Sequence, residues 1–94
     1  MFRDPEKALA KSTLELFENS MVWAPLAAPR RNSYVRARKL VPVSNRFCKL
    51  HVPAGSIGWL VDVDDEGDAY IYFADLENPE WVRSKHFHAL DTAD

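Results

Sequence analysis

Two short pairs of side chains carry the donor atoms that zinc prefers. Cys48 precedes His51 by three positions, and a single residue separates His86 from His88. A structural zinc ion takes four thiolate or imidazole ligands, usually from Cys-rich pairs. This set holds only one Cys, and a turn across residues 85–88 would break the face that its two histidines share. We therefore expect a small buried thiol and surface imidazoles, with no metal ion or other cofactor.

A run of carboxylates resembles the beginning of a calcium-binding loop. The run is Asp62-Val63-Asp64-Asp65-Glu66-Gly67, which places carboxylates at alternate positions before a glycine. Such a loop needs a bidentate Glu at its end and a helix on either side, but Phe73 stands at that position. The flanking segments have the pattern of strands. We therefore predict a solvated hairpin turn rather than a calcium site.

No group of residues forms a recognisable catalytic frame. The sequence lacks a Gly-x-Ser-x-Gly motif, a phosphate-binding loop and a familiar pair of carboxylates. Cys48 and His51 are conceivable as nucleophile and base, but a lone Cys in a small domain is usually a core residue. We expect a protein that is not an enzyme.

The stretch from His51 to Phe73 organises the elements that must position these residues. Trp59, Val61 and Val63 occur at every second position, which is the period of a half-buried strand. We expect these three side chains to face a core. Gly67 can adopt the positive φ of a tight hairpin turn, and a Tyr-Ile-Tyr-Phe run then reads as a second strand. The stretch therefore predicts a β-hairpin.

An amphipathic helix is predicted near the N-terminus. Asp4 can cap it and Pro5 suits its first position. Its apolar face, about 10–13 residues long, recurs at helical spacing: Leu9, Ala10, Thr13, Leu14 and Phe17. A connector with two prolines follows over residues 22–32. We expect Trp23 in this connector to cover the core, because an exposed Trp is unfavourable.

The remaining segments predict four short elements around the hairpin. They are a first strand over Tyr34–Val43 with a bulge near Lys39, an extended return over Phe47–Val52, a strand over Trp81–Arg83, and a tight turn before a short strand at Ala89–Leu90. Residues 92–94 are expected to fray. The predicted fold is α+β and mainly β, with the helix and connector in residues 1–33 and a five-stranded bent barrel in residues 34–94, forming one compact domain.

A known family shares these motifs. Residues 36–91 contain Val-Pro-Ala-Gly-Ser-Ile-Gly, Trp-Leu-Val-Asp-Val, Asp-Glu-Gly-Asp, Tyr-Ile-Tyr-Phe, Trp-Val-Arg and a closing Phe-x-x-Leu. This segment resembles SH3-like small barrels, as found in KOW-type domains and in small accessory subunits of photosynthetic electron-transfer complexes. The resemblance implies an SH3-like fold and a role as a binding module. Unlike the KOW pattern, the hairpin lacks basic residues.

Charge is distributed unevenly, and it defines two candidate surfaces. The net charge is −2, with eight Lys+Arg and four Asp+Glu in residues 1–45 against four and ten in residues 46–94. An acidic and aromatic face could bind a protein with a basic surface: Asp62, Asp64, Asp65, Glu66, Asp68, Tyr70, Tyr72, Asp75, Glu77, Glu80 and Trp81. A basic stretch could instead follow a nucleic-acid backbone: Arg30, Arg31, Tyr34, Arg36, Arg38 and Lys39.

We favour the first surface, and hence a protein–protein interaction module such as an accessory subunit or a small regulator or inhibitor. Nucleic-acid binding by the basic stretch is the alternative. The composition agrees with a single globular domain, since 47% of the 94 residues are hydrophobic and 28% are charged. The single Cys excludes an internal disulfide and suits a reducing compartment. With no apolar run of about 20 residues and no secretory signal, we expect a cytoplasmic protein that does not associate with membranes.

Overall fold

A computed structural model describes residues 4–44 and 49–93. The chain is mainly β, with one antiparallel sheet and a few short helices. In the described residues, no helix combines the length and the apolar character that crossing a membrane requires. The strands are β1 (Ala24–Pro25), β2 (Ser33–Ala37), β3 (Val41–Ser44), β4 (Lys49–Val52), β5 (Ile57–Val63), β6 (Ala69–Phe73), β7 (Glu80–Val82) and β8 (Leu90–Ala93).

The strands are joined in the order β1-β8-β2-β5-β6-β7-β3-β4. The sheet curls around a core formed by the side chains of its inner face, and this confirms the prediction of a small, bent antiparallel sheet. The described residues contain eight short strands, where the sequence predicted five. Fully buried members of the core are Val35, Val41, Val52, Leu60, Ile71, Phe73, Val82 and Leu90.

The predicted hairpin is formed by β5 and β6, and Gly67 in its turn has a φ of 85°. The expectation that Trp59, Val61 and Val63 share one core was wrong. The register shifts between Leu60 and Asp62, which is a β-bulge. Because the bulge reverses the alternation, Trp59 and Val61 face the outer side of the sheet and Val63 packs on the inner core.

Two short helices take the place of the single helix that was predicted. They are α1 (Pro5–Ala8) and α2 (Lys11–Phe17), followed by a 3₁₀ turn at Glu18–Ser20. Asp4 caps α1 as expected, accepting a hydrogen bond from the backbone N–H of Glu6 at 2.9 Å. The Tyr34 hydroxyl donates to the carbonyl of Ala8 at 2.8 Å. In a continuous helix, this carbonyl would accept a hydrogen bond from a backbone N–H of the next turn. The helix is instead interrupted at Ala10.

The two helices cover the outer face of β2 and β5. There they close a second apolar cluster centred on Trp59, which is 1% exposed. The ring of Tyr34 meets the Trp59 ring edge-on, with the two ring centres 4.7 Å apart. Leu9, Leu14 and Trp23 pack against this cluster. The N-terminal helices therefore pack on the sheet, and Trp23 covers a core as predicted, although it is the outer core.

Two further strand predictions were wrong. The segment predicted as one strand over Tyr34–Val43 turns at residues 38–40, and its second half, β3, leaves the first to pair with β4 and β7. Residues 92 and 93 do not fray, because β8 lies between β1 and β2 in the sheet. The Thr92 hydroxyl adds a hydrogen bond to the carbonyl of Tyr34 at 2.9 Å. Phe47 and Cys48 lie outside the described residues.

Candidate functional site

Three partly exposed aromatic side chains occupy the outer face of the sheet beyond the helices. Tyr70 and Tyr72 alternate along β6, and Trp81 of β7 pairs in register with Tyr70. The rings of Tyr70 and Trp81 lie 4.7 Å apart at an angle of 34°. Tyr72 lies opposite Trp59 in β5, which is buried under the helices. We call Tyr70, Tyr72 and Trp81 the aromatic face.

Exposed carboxylates stand at both ends of β6, next to this aromatic face. Asp65 and Glu66 lie in the turn before the strand, and Asp75 and Glu77 lie in the loop after it. The Tyr72 hydroxyl donates to the carbonyl of Glu77 at 3.3 Å, which holds the loop beside the aromatic face. We call these four carboxylates the acidic rim. Together, the aromatic face and the rim form a surface with apolar contacts at its centre and charge at its edges.

Two predicted members of this surface are buried. Glu80 is 2% exposed and Asp68 is 6% exposed, so neither can contact a partner. Asp68 instead accepts hydrogen bonds from the backbone N–H of Ser84 at 2.8 Å and from the Arg83 guanidinium at 3.2 Å. It thereby ties the hairpin turn to the 3₁₀ helix at Ser84–Ala89.

Two other predicted members hold local structure. Asp64 accepts hydrogen bonds from the backbone N–H groups of Glu66 at 3.0 Å and Asp68 at 2.8 Å, which shapes the turn. Asp62 forms an ion pair with Arg31, whose Nε lies 2.6 Å from Oδ1. The turn is therefore a hairpin turn as predicted, and its carboxylates divide between structural and exposed positions.

Two arginines of the basic stretch form ion pairs with Asp91 of β8. Arg36 and Arg38 both reach the carboxylate of Asp91, at 3.6 Å and 3.2 Å. The Arg36 guanidinium also lies 4.6 Å from the centre of the Trp23 ring, and Arg38 donates to the carbonyl of His88. Asp91 carries one negative charge, so it offsets part of the positive charge that the sequence assigned to a nucleic-acid backbone.

The other members of this stretch do not converge with Arg36 and Arg38. Tyr34 is buried, and desolvation raises its pKa above the usual value. Arg31 points to Asp62, as described above. Arg30 and Lys39 are exposed, on either side of β2 in the sequence. The structure therefore spreads these residues instead of forming one basic track.

Sequence reasoning missed a groove of about 390 Å³ between the β3–β4 hairpin and β7. Among the described residues, every charged side chain that lines this groove is basic. Trp81 forms part of its wall. We call it the basic groove. Its basic side chains come from two stretches of the chain that are more than thirty positions apart, so no local sequence motif predicts their convergence: Lys49, His51, Arg83, Lys85 and His86.

The three histidines that were considered as zinc ligands lie in different surroundings. His51 and His86 line the basic groove, whereas the Nδ1 of His88 lies 2.9 Å from the carbonyl of Lys85. Cys48 is outside the described residues. Within those residues, the potential metal ligands that come within 4.8 Å of one another belong to Asp64, Glu66 and Asp68, and Arg83 already lies against two of these carboxylates.

The pKa of His86 should be lower than its ordinary value of 6.5. Partial burial disfavours the charged ring, and the neighbouring charges of Lys85 and His88 act in the same direction. The imidazole should therefore be neutral at pH 7 and gain its proton only at a more acidic pH than a free histidine. An NMR titration of the ring protons measures this pKa.

Lys85→Gln should raise the pKa of His86, because it removes one of the repelling charges. Lys11→Gln removes the same charge from α2 and serves as the control. A pKa at or above 6.5 in the unmodified protein would contradict the prediction.

Comparison of the chain with models of protein families, with curated proteins and with solved structures finds no match. The functional argument therefore depends on the geometry of the sheet and on the chemistry of its exposed side chains.

Proposed function

We propose that this chain is a non-catalytic protein–protein interaction module that binds a partner with a basic surface. Its binding site is the aromatic face together with the acidic rim. The observation that carries this proposal is the half-covered sheet: helices α1 and α2 bury the outer side at Trp59 but leave Tyr70, Tyr72 and Trp81 partly exposed. Tyr and Trp are the residues that most often supply binding energy at the centre of an interface.

We also propose that the barrel is SH3-like. Support comes from five consecutive neighbours in the sheet, β8-β2-β5-β6-β7. In this order β2 and β8, which are the first and last strands of the proposed barrel in the sequence, lie side by side. A 3₁₀ helix at Ser84–Ala89 leads into the last of these strands. One small-barrel fold can host many unrelated functions, so the site must carry the functional argument.

Charge complementarity indicates the chemistry of the partner. Asp65, Glu66 and Glu77 are exposed, and the first two extend from a turn whose backbone is fixed by Asp64. Lys and Arg side chains of a partner would approach this rim, while apolar parts of the same surface pack on Tyr72 and Trp81. Rim charges act mainly on the association rate and on specificity.

Capture from a native lysate tests the proposal, with mass spectrometry as the readout. The test variant carries Asp65→Lys, Glu66→Lys and Glu77→Lys. Asp75 is left unchanged, because it accepts a hydrogen bond from the buried Ser56 hydroxyl at 2.8 Å. We expect the affinity for the captured protein partner to fall about tenfold, which corresponds to ~1.4 kcal/mol of binding free energy.

The matched control reverses three exposed carboxylates on the N-terminal helices, with Glu6→Lys, Glu15→Lys and Glu18→Lys. It should retain the partner. Capture should also survive nuclease treatment. Equal capture by the test and control variants would refute the site. Partners that disappear with nuclease, and that depend on Arg36 and Arg38, would favour nucleic-acid binding by the basic stretch instead.

A further inference from the structure

The basic groove lies on the other side of Trp81 from the acidic turn. Its apolar wall is formed by Pro42, Val43 and Leu50, and Leu50 is 38% exposed although it lies on a strand. Lys49 and Lys85 are exposed at opposite sides of the groove, one from the β3–β4 hairpin and one from the 3₁₀ helix. Among the residues that the structure describes, no carboxylate lines it.

We infer that the basic groove binds an acidic segment of a partner protein, in which carboxylates alternate with apolar side chains. The carboxylates would meet the ammonium groups of Lys49 and Lys85. An apolar side chain of the same segment would pack on Trp81 and Leu50. The groove shares Trp81 with the aromatic face, but its lysines lie outside the proposed binding site and have the opposite charge to the acidic rim, so the inference does not depend on the proposed function.

The proposed ligand lies across the strands that line the groove. β4 is the last strand in the sheet order, and in the described part of the chain it pairs only with β3. Its free edge faces away from β3 and from Trp81 of β7, whereas the groove is lined by residues of all three strands, so the ligand packs across them and does not add to the edge. An extended segment also presents its side chains alternately, so carboxylates and apolar groups separate onto two faces.

A nucleic-acid strand fits this surface less well than an acidic peptide. The concavity next to the groove is lined by Asp64, Glu66 and Asp68, and it shares Trp81 and Arg83 with the groove. A polyanion that continued past Trp81 would meet the exposed carboxylates of Asp64 and Glu66. Arg83 is also paired with Asp68 at 3.2 Å, so among the described residues we assign the contacts with a ligand to Lys49 and Lys85. A short acidic segment can end before the acidic turn.

Fluorescence anisotropy with dye-labelled probes tests the inference on the full chain. The probes are a short peptide that alternates glutamate with leucine, its serine–leucine counterpart, and a single-stranded oligothymidylate. We expect the glutamate peptide to bind about tenfold more tightly than the serine peptide, which corresponds to ~1.4 kcal/mol. Its affinity should fall as salt is added, because the lysines are exposed.

Charge reversal locates the site. Lys49→Glu with Lys85→Glu should weaken binding of the glutamate peptide by about tenfold. Lys7→Glu with Lys11→Glu makes the same change of charge on the helices and should leave the affinity unchanged. Thermal melting followed by circular dichroism shows whether both variants fold. If the Lys49→Glu and Lys85→Glu variant does not fold, the uncharged variant with Lys49→Gln and Lys85→Gln supplies a milder change.

Three results would overturn the inference. The first is equal affinity for the glutamate and serine peptides. The second is a preference for the oligothymidylate that depends on Lys49 and Lys85, which would make the groove a nucleic-acid site. The third is a concentration-dependent dimer, seen in sedimentation and lost in the Lys49 and Lys85 variant, which would show that a second copy occupies the groove. Loss of lysate partners by the acidic-rim variant bears only on the proposed function.

Discussion

Trp59→Ala should lower the free energy of unfolding by about 3–5 kcal/mol, the usual cost of removing a large buried aromatic side chain. Trp59 is 1% exposed and lies between the outer face of the sheet and the N-terminal helices. Its ring also meets Tyr34 edge-on at 4.7 Å. A chain of 94 residues has a stability of about 5–14 kcal/mol at ordinary values per residue. The substitution should therefore remove at least about a fifth of the stability, and most of it at the lower end of this range.

Urea denaturation followed by circular dichroism measures this change. Trp59→Phe is the matched control and should cost less than Trp59→Ala, because it removes fewer buried atoms and leaves a smaller cavity. It keeps an aromatic ring beside Tyr34. It also removes the indole N–H, which is buried and has no hydrogen-bond partner among the described residues. A loss below about 1 kcal/mol for the alanine variant would mean that α1 and α2 do not depend on Trp59 for their position.

Asp68→Ala should cost about 2 kcal/mol of unfolding free energy, even though the residue belongs to an acidic turn. Its carboxylate is buried and accepts from the backbone of Ser84 at 2.8 Å. Removal leaves that N–H without its acceptor and separates the hairpin turn from the 3₁₀ helix. The ion pair with Arg83 adds little to the estimate, because the Arg83 side chain is 59% exposed.

Asp65→Ala provides the comparison for Asp68→Ala, since it removes an exposed carboxylate from the same turn. It should change stability by less than about 0.5 kcal/mol. Thermal unfolding of the two variants under the same conditions measures the difference. Similar melting temperatures for both would contradict the structural role of Asp68.

Local signals predicted the parts of the fold that local physics controls. Asp4 before Pro5 identified the first helix, and Gly67 among carboxylates identified the hairpin turn. The bulge at Val61 could not be found in this way, because it adds one residue to a pattern that reads as regular alternation. The break at Ala10 likewise depends on a hydroxyl from Tyr34, which is distant in sequence.

The candidate site was predictable in its aromatic part and less so in its charges. Tyr70 and Tyr72 were assigned to an exposed surface, and in β6 they are partly exposed while Ile71 and Phe73 between and after them are buried. Nothing in the sequence distinguished Asp68 from Asp65, because the difference arises from the 3₁₀ helix that packs against the turn. Lys49 and Lys85 are 36 positions apart in the chain, so their convergence on one groove required the sheet topology.

The position of β8 between β1 and β2 has a consequence for synthesis on the ribosome. Tyr34 pairs with Ala93, so the last neighbour of β2 leaves the exit tunnel only after nearly sixty further residues have been made. Until then, β2 has a free edge, and the hairpin of β5 and β6 is already available to it on the other side. During that interval the unpaired edge of β2 is therefore open to pairing with another chain.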